Sequence, residues 1–374
     1  MLVQISTQED LEGIRKLYED AFHDQKSFVD YYFKEVYKPD CVAVIKEDER
    51  IVAMMHLNPF EVNFNGQMVP TSYFVAVATD LSYRNKGYMA KLMAFSLRKL
   101  YEDGETFSLL MPIDSRIYER YGFGFIEDNL HLEGKLETFT CEFVSDYTYK
   151  IATEDDFSEL ARLYDVFSKT IDLTAKRDEA AFRRLYLELL TDEVQLILFD
   201  EGYMMTFFTD EMLTVREFVA NSDRAFKEMM TYLKEHTLNG KVVIYDHIKS
   251  RVKYCLPNID GNNIVLKPFM MARILNVAVF MARNKELFME GVAIKVTDGF
   301  IEENNRVFKL VGGEVVITET QEYDVMLDIK TLTQLVFGYI GEEEILLLNE
   351  VNDVNSRKPI LTKKLGIHFF NEYV

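Results

Sequence analysis

The feature that most narrows the folds open to this chain is a repeat. Ile5-Ser6-Thr7-Gln8-Glu9-Asp10-Leu11, followed by Leu17-Tyr18, returns 146 residues later as Ile151-Ala152-Thr153-Glu154-Asp155-Asp156-Phe157, followed by Leu163-Tyr164. In each copy a short apolar segment meets a Thr-x-x-Asp pattern, a capping-box signature with Asp in place of Glu or Gln, and then apolar residues at helical spacing. A unit that recurs at one offset predicts two copies of one fold.

In the first copy the patterns predict a strand over Val3 to Ile5, a helix carrying Leu11, Ile14, Leu17, Tyr18 and Phe22, and a second helix from Ser27 to Glu35. Val42 to Ile45 and Ile51 to Met55 read as a hairpin, and Asn65-Gly66, between Phe60–Phe64 and a strand beginning near Val69, is a strong hairpin signal. A strand over Phe107 to Met111, a short helix over Asp114 to Tyr121 and a strand opening at Phe123 complete it. In the second copy, strands at Val194–Phe199 and Tyr203–Phe208 flank Asp200-Glu201-Gly202; a strand from Leu213 to Ala220 leads to a helix from Ser222 to His236, and Lys241 to Tyr245 is strand-like. From about Met270 the pattern changes: a helix or strand at Met271–Asn276, strands at Gly291–Val296, Arg306–Leu310 and Glu314–Ile317, the last two joined across Gly312-Gly313, and a helix from Ile329 to Tyr339.

Between the fourth strand of the first copy and its helix lies Arg84-Asn85-Lys86-Gly87, preceded by Tyr73 to Thr79 and followed by Leu92, Phe95 and Leu97 at helical spacing. The first turn of a helix carries unpartnered N–H groups and the positive end of the dipole, so an anion docks there. Gly87 lacks the Cβ that would hold a phosphate off, and Arg84 and Lys86 add charge, so the turn reads as a diphosphate cradle; taken alone, such a turn is as well explained as a turn. The matching stretch of the second copy, Ala220-Asn221-Ser222-Asp223-Arg224-Ala225, puts an acid where the phosphates would sit and is not expected to bind them.

Arg84-x-x-Gly87 after Val77-Ala78-Thr79 resembles the acetyl-CoA signature of the GNAT superfamily of N-acetyltransferases, R/Q-x-x-G-x-G/A, with Met89 where a small residue is usual and Ala90 one place late. The element order of residues 1 to about 135 is similar to the GNAT fold, and that of the last hundred residues resembles a sterol-carrier-protein-like α+β domain. In that order the whole chain resembles the Enhanced intracellular survival (Eis) family of GNAT N-acetyltransferases.

The resemblance implies an α/β and α+β architecture: a catalytic GNAT domain at 1–135, a second, degenerate GNAT-like domain at 136–269 and the sterol-carrier-like domain at 270–374. It implies acetyl transfer from acetyl-CoA, a co-substrate used without a metal, to a primary amine such as an aminoglycoside-like polyamine or a lysine or peptide amine. Val77, Ala78, Thr79, Arg84, Asn85, Lys86, Gly87, Tyr88, Met89 and Ala90 would hold the coenzyme, and the family's hexameric assembly is implied as well.

Acyl transfer needs a proton for the departing thiolate, and a phenol is a sensible donor. Ile117-Tyr118-Glu119-Arg120-Tyr121-Gly122-Phe123 resembles the family's I-Y-x-R-x-G-[FY] segment, whose first tyrosine is the general acid, so Tyr118 inherits the role and Tyr121 is its competitor. Without the resemblance, plain aromatic packing explains either. Gly366 to Val374 is apolar and aromatic almost throughout, where free termini are usually polar. The resemblance makes the α-carboxylate of Val374 the base; a final strand closing the third domain's sheet is the simpler use of the tail. Asp24 and Asp30 are candidates for the entrance of a cationic acceptor or for water, Phe22, Phe28, Tyr31 and Phe33 for an apolar wall or for core, and His56 for an alternative base or for a satisfied core histidine.

Composition limits the partners. Lys+Arg 42 against Asp+Glu 62 gives a net charge of −20, which argues against nucleic acid or an anionic membrane. No apolar run reaches the ~18 residues of a membrane span, and Met1-Leu2-Val3-Gln4 does not open a signal sequence, so a cytoplasmic protein is expected. Cys41, Cys141 and Cys255 are odd in number and widely spaced, as reduced thiols are. A different class of function, an apolar-ligand carrier or a CoA-binding sensor with a vestigial transferase site, is the alternative.

Overall fold

The computed structural model of the protein describes residues 2–209, 212–237, 240–256, 262–320, 322–348, 353–356 and 358–373. The first unit runs β1 (Val3–Ile5), α1 (Leu11–Phe22), α2 (Lys26–Tyr31), a π-helical turn (Tyr32–Val36), β2 (Val42–Glu47), β3 (Arg50–Phe64), β4 (Gln67–Thr79), α3 (Tyr88–Glu102), β5 (Phe107–Leu110), α4 (Ser115–Glu119) and β6 (Gly124–Lys135). β1 to β4 form an antiparallel meander and β5 adds in parallel to β4. The β3–β4 hairpin closes at Asn65 and Gly66, with φ of 50° and 79°, the left-handed pair that an Asn-Gly turn supplies at little cost. β3 continues through Pro59, where two separate strands were expected. Pairing with β2 stops at His56 and pairing with the next neighbour starts only at Val62, so the missing N–H interrupts no ladder on that side.

The second unit repeats the order with one added strand, β8, between its first two helices: β7 (Lys150–Ile151), α5 (Phe157–Ser168), β8 (Leu173–Ala175), α6 (Glu179–Leu189), β9 (Gln195–Phe199), β10 (Gly202–Thr209), β11 (Met212–Ala220), α7 (Asp223–His236) and β12 (Lys241–His247). Both Thr-x-x-Asp patterns are capping boxes: the Thr7 and Thr153 amides each donate to the Asp three residues on, at 3.0 Å.

β13 (Asn263–Ile274) then returns to the first unit and lies between β5 and β6, antiparallel to both. β6 also pairs with β12, so the two units join in one 14-stranded sheet, and residues 269 and 270 fall within β13.

The third part comprises α8 (Val277–Arg283), β14 (Ala293–Thr297), β15 (Val307–Val311), β16 (Glu314–Thr318), β17 (Val325–Asp328), α9 (Ile329–Val336), α10 (Ile345–Leu348) and β18 (Asp353–Val354), with a five-stranded sheet in the order β16-β15-β14-β17-β18. The apolar face of α9 is turned on the first unit: Leu332, Leu335 and Val336 share one core cluster with Phe64, Phe107 and Met270, and Thr333 Oγ1 accepts from the Ile274 amide at 3.1 Å. β19 (His368–Phe369) pairs in parallel with β8 of the second unit; among the described residues it is not part of the third part's sheet, where a closing strand was expected. Among the described residues no helix is long and apolar enough to cross a membrane.

Candidate active site

β4 and β5 pair in parallel for three residues, Ser72 with Ser108, Tyr73 with Leu109 and Phe74 with Leu110, and then part. Just beyond, the register of β4 against β3 slips between Met54 and His56, and Ala76 takes φ of 48°. An alanine in that region costs about 1–2 kcal/mol, so the flanking strands must hold the bulge in place, a pattern common where backbone is shaped for a ligand. Among the described residues no strand pairs with Val75–Thr79 on the side that β5 leaves. The gap opens into a cleft of about 810 Å³ that Val75, Ala76 and Val77 line. Of the other two residues expected beside the coenzyme on β4, Ala78 packs into the core under α1 and Thr79 is half-buried.

The basic turn follows. Gly87 caps α3 with φ of 76° and ψ of 17°; no side chain caps the first turn, no acidic residue lies in it, and the space a Cβ would take at Gly87 is open. Arg84, Asn85 and Lys86 are exposed. Arg84 Nε donates to the Thr79 carbonyl at 3.4 Å and Lys86 Nζ lies 4.3 Å over the Tyr83 ring; among the described residues neither is in an ion pair. The Tyr88 hydroxyl donates to the Glu47 carboxylate, which pushes the phenol up to about 12 and ties the start of α3 to β2. Met89 packs into the core beneath the helix and Ala90 is the exposed residue, so the larger side chain is turned away from the helix start.

The second unit is closed at the same place. Ser222 caps α7 by accepting from the Ala225 amide at 3.1 Å and donates its hydroxyl to Glu201 at 2.6 Å, and Asp223 pairs with Arg251 at 2.7 Å. One first turn is open and basic; the other is capped by its own side chain and flanked by carboxylates.

Tyr118, on α4, is 7% exposed and lines the cleft; burial raises its phenol above the ordinary value. Tyr121 is not among the residues lining the cleft. It packs on Phe300 at 5.3 Å, and its carbonyl accepts from Arg273 Nε at 2.7 Å. The geometry therefore separates the two tyrosines that the sequence left in competition.

Val374 lies outside the described residues. Tyr373 lines the cleft, 5.7 Å from Phe269 and with the Arg216 guanidinium 4.5 Å over its ring. Asp24 is at the cleft and accepts from the Tyr18 hydroxyl at 2.8 Å, whereas Asp30 is held elsewhere by Arg15 and Lys26. Phe22 and Phe28 line the cleft; Tyr31 and Phe33 do not, and pack on their neighbours. His56 does not line the cleft either. It is fully buried beside the bulge, its Nδ1 is bonded to the Tyr32 hydroxyl at 2.8 Å, and burial pushes it down to about 3, which keeps the imidazole neutral.

Several lining residues had no sequence signal. Glu188, Phe207, Arg216 and Tyr245 come from the second unit, and Lys267 and Phe269 from β13, so most of the far wall is built by residues in no motif.

Residues 3–126 match the family model of the acetyltransferase (GNAT) domain, and residues 278–362 that of the sterol carrier protein domain. No curated protein matches the chain. Among solved structures it is similar over 100% of both chains to Eis1 from Mycobacterium abscessus, with a TM-score of 0.82 and 14% identity. It is similar to a conserved protein of unknown function and probable N-acyltransferase from Enterococcus faecalis, with a TM-score of 0.80 and 19% identity over 95% of this chain and 94% of that one. A GCN5-related N-acetyltransferase from Anabaena variabilis has a TM-score of 0.79 and 19% identity over 94% of each. The open basic helix start, the splayed strand pair and the matched domains agree, and the chain has the tandem-GNAT Eis fold, with an acetyltransferase (GNAT) domain at its front and a sterol carrier protein domain behind.

Proposed function

We propose that this chain transfers the acetyl group of acetyl-CoA to a primary amine of a polyamine, of the aminoglycoside-like kind, or of a lysine or peptide. The observation that carries the reading is that one cleft joins the unpaired backbone of β4 after the Ala76 bulge with the Tyr118 phenol, on the same unit as an uncapped, basic helix start.

The residues fit acetyl-CoA by their chemistry. The first-turn amides of Tyr88, Met89 and Ala90, with Arg84, Asn85, Lys86 and Gly87, would hold a diphosphate, and the backbone of Val77, Ala78 and Thr79 offers an extended arm the edge of a strand. The coenzyme supplies the activated acyl group as a thioester. Tyr118, kept protonated by burial, gives its proton to the departing sulfur as the amine nitrogen bonds to the acyl carbon. The α-carboxylate of Val374 is the base assigned here, supported by Tyr373 in the cleft. Asp24 and Asp192 at the cleft favour a cationic acceptor, the Glu188 carboxylate being already paired with Arg216 at 2.7 Å. The reading includes three units, the first divided from the second near residue 135 and the third beginning after β13, not at residue 270, with a cytoplasmic location and a hexamer, which the resemblance supports.

The test is release of free thiol from acetyl-CoA over a panel of amines, beside thermal shift. A melting point raised by acetyl-CoA with thiol released by at least one amine is the expected result. Stabilisation without release by any amine would make the chain a CoA-binding sensor, and stabilisation by fatty acids alone an apolar-ligand carrier.

A further inference from the structure

The two units carry the same cleft, and in the second it is filled by the chain itself. β11 pairs in parallel with β12 over three residues, Leu213 with Val242, Thr214 with Val243 and Val215 with Ile244, the same length of pairing as β4 with β5. The register of β11 against β10 then slips at once, Glu217 lying opposite Met205 and Val215 opposite Thr206, so Arg216 is the bulge residue. The second unit therefore keeps both devices, the bulge and the parting strands, that open the coenzyme cleft of the first.

The tail occupies that opening. Phe369 packs 6.0 Å from His247, at the end of β12. Asn371, 2% exposed, donates its Nδ2 to the Arg216 carbonyl at 3.1 Å and to Glu217 Oε2 at 2.9 Å, both on β11. Arg177, two residues after β8, pairs with Glu217 at 2.6 Å and with Glu372 at 2.7 Å, and donates to the Asn371 carbonyl at 3.2 Å. The bulge carbonyl and the two charges are thus engaged by the tail, and Tyr373 leaves the opening with its ring against Arg216 and enters the transferase cleft.

We propose that the second unit is a receptor for the chain's own C-terminal segment: its coenzyme-like cleft binds Phe369, Asn371 and Glu372, while Phe370 packs on Phe60 and Tyr73 of the first unit, and so fixes where Tyr373 stands in the cleft that Tyr118 also lines. Arg177, Glu217 and Asn371 are positioning residues; they act through the tail and touch none of the reacting atoms. The occupancy stands on geometry alone, and only its effect on rate rests on the transferase reading. Shifting a group by about 1 Å from its productive position costs on the order of 10²-fold.

Removing Arg177 or Glu217 would strand a buried charge and endanger folding, so the test alters the tail of the full chain: Asn371→Ala, Glu372→Ala, the double variant, and Glu372→Asp as the conservative control. Hydrogen exchange is read at residues 173–175 and 212–220 and, as reference, at 42–47; kcat and the KM for acetyl-CoA are read beside it. The double variant is expected to exchange at least tenfold faster at the two second-unit segments and not at the reference, with kcat lowered roughly 10- to 100-fold, KM for acetyl-CoA within twofold, and partial recovery in Glu372→Asp. Unchanged exchange at 212–220 would overturn the receptor, and faster exchange with kcat retained would overturn its positioning role. If the parent chain releases thiol with no amine, the transferase reading falls while the exchange comparison still decides the receptor.

Discussion

Arg273 and Asp298 form an ion pair at 2.6 Å in which neither side chain is exposed. Arg273 also donates to the carbonyls of Tyr121 and Ile274, and Asp298 accepts from the amides of Phe300 and Ile301 and from Asn304. β13, the loop after β14 and the turn that follows Tyr118 are therefore one network, and the third part of the chain fixes the segment that carries the proposed acid.

Arg273→Met leaves Asp298 buried without its cation and is expected to destabilise the chain by about 3–5 kcal/mol, whereas Arg273→Met with Asp298→Asn costs clearly less, because the orphaned charge is gone. Urea unfolding of the two variants checks it; equal loss in both would mean that the pair acts through packing only.

Tyr118→Phe keeps the ring and removes the proton. Turnover is expected to fall by about 10²-fold with the KM for acetyl-CoA unchanged, while Tyr121→Phe stays within a few-fold of the parent. Steady-state kinetics on both variants would show it; the opposite ranking would move the acid to Tyr121.

Arg84→Ala and Lys86→Ala each withdraw one positive charge from the turn before Gly87. The KM for acetyl-CoA is expected to rise by about tenfold, more at low than at high salt, with kcat nearly retained and the melting point without ligand unchanged, since both side chains are exposed. A salt-independent KM would argue against phosphate binding at this turn.

Glu127 is fully buried on β6, accepts from the Phe370 amide at 3.1 Å, and is pushed by burial up to about 8. A carboxyl raised in the folded state holds a proton that the unfolded chain releases near its ordinary value of 4.5, so its contribution is whole below about 4.5 and is lost as pH rises through about 8. Glu127→Gln cannot ionise. The stability of the parent relative to this variant is expected to decline by a few kcal/mol between pH 5 and pH 9, read from urea midpoints; a flat difference would mean that Glu127 is already ionised in the folded chain throughout that range.

What the sequence disclosed was local. The Asn65-Gly66 turn, the two Thr-x-x-Asp boxes and the basic turn at Gly87 each follow from a few adjacent residues, and each is where the spacing puts it. The Ala76 bulge left no trace, because nothing about alanine announces a left-handed φ; only the slip between β3 and β4 imposes it. The far wall of the cleft was equally hidden, since Arg216, Tyr245 and Phe269 come to line one cleft with Tyr118 only through strand pairings such as β12 and β13 with β6, across more than a hundred residues. So too with the cysteines: Cys141 and Cys255 are far apart along the chain, yet both are free and pack against the same core of the second unit.

The place of β13 sets an order of events during synthesis. The slot between β5 and β6 stays vacant until residue 274 has left the ribosome, so the first 135 residues must wait, with two strand edges bare, while the middle of the chain is made. A gene fragment cut after β6 would express a sheet missing an internal strand, and such a fragment is expected to aggregate instead of turning over acetyl-CoA.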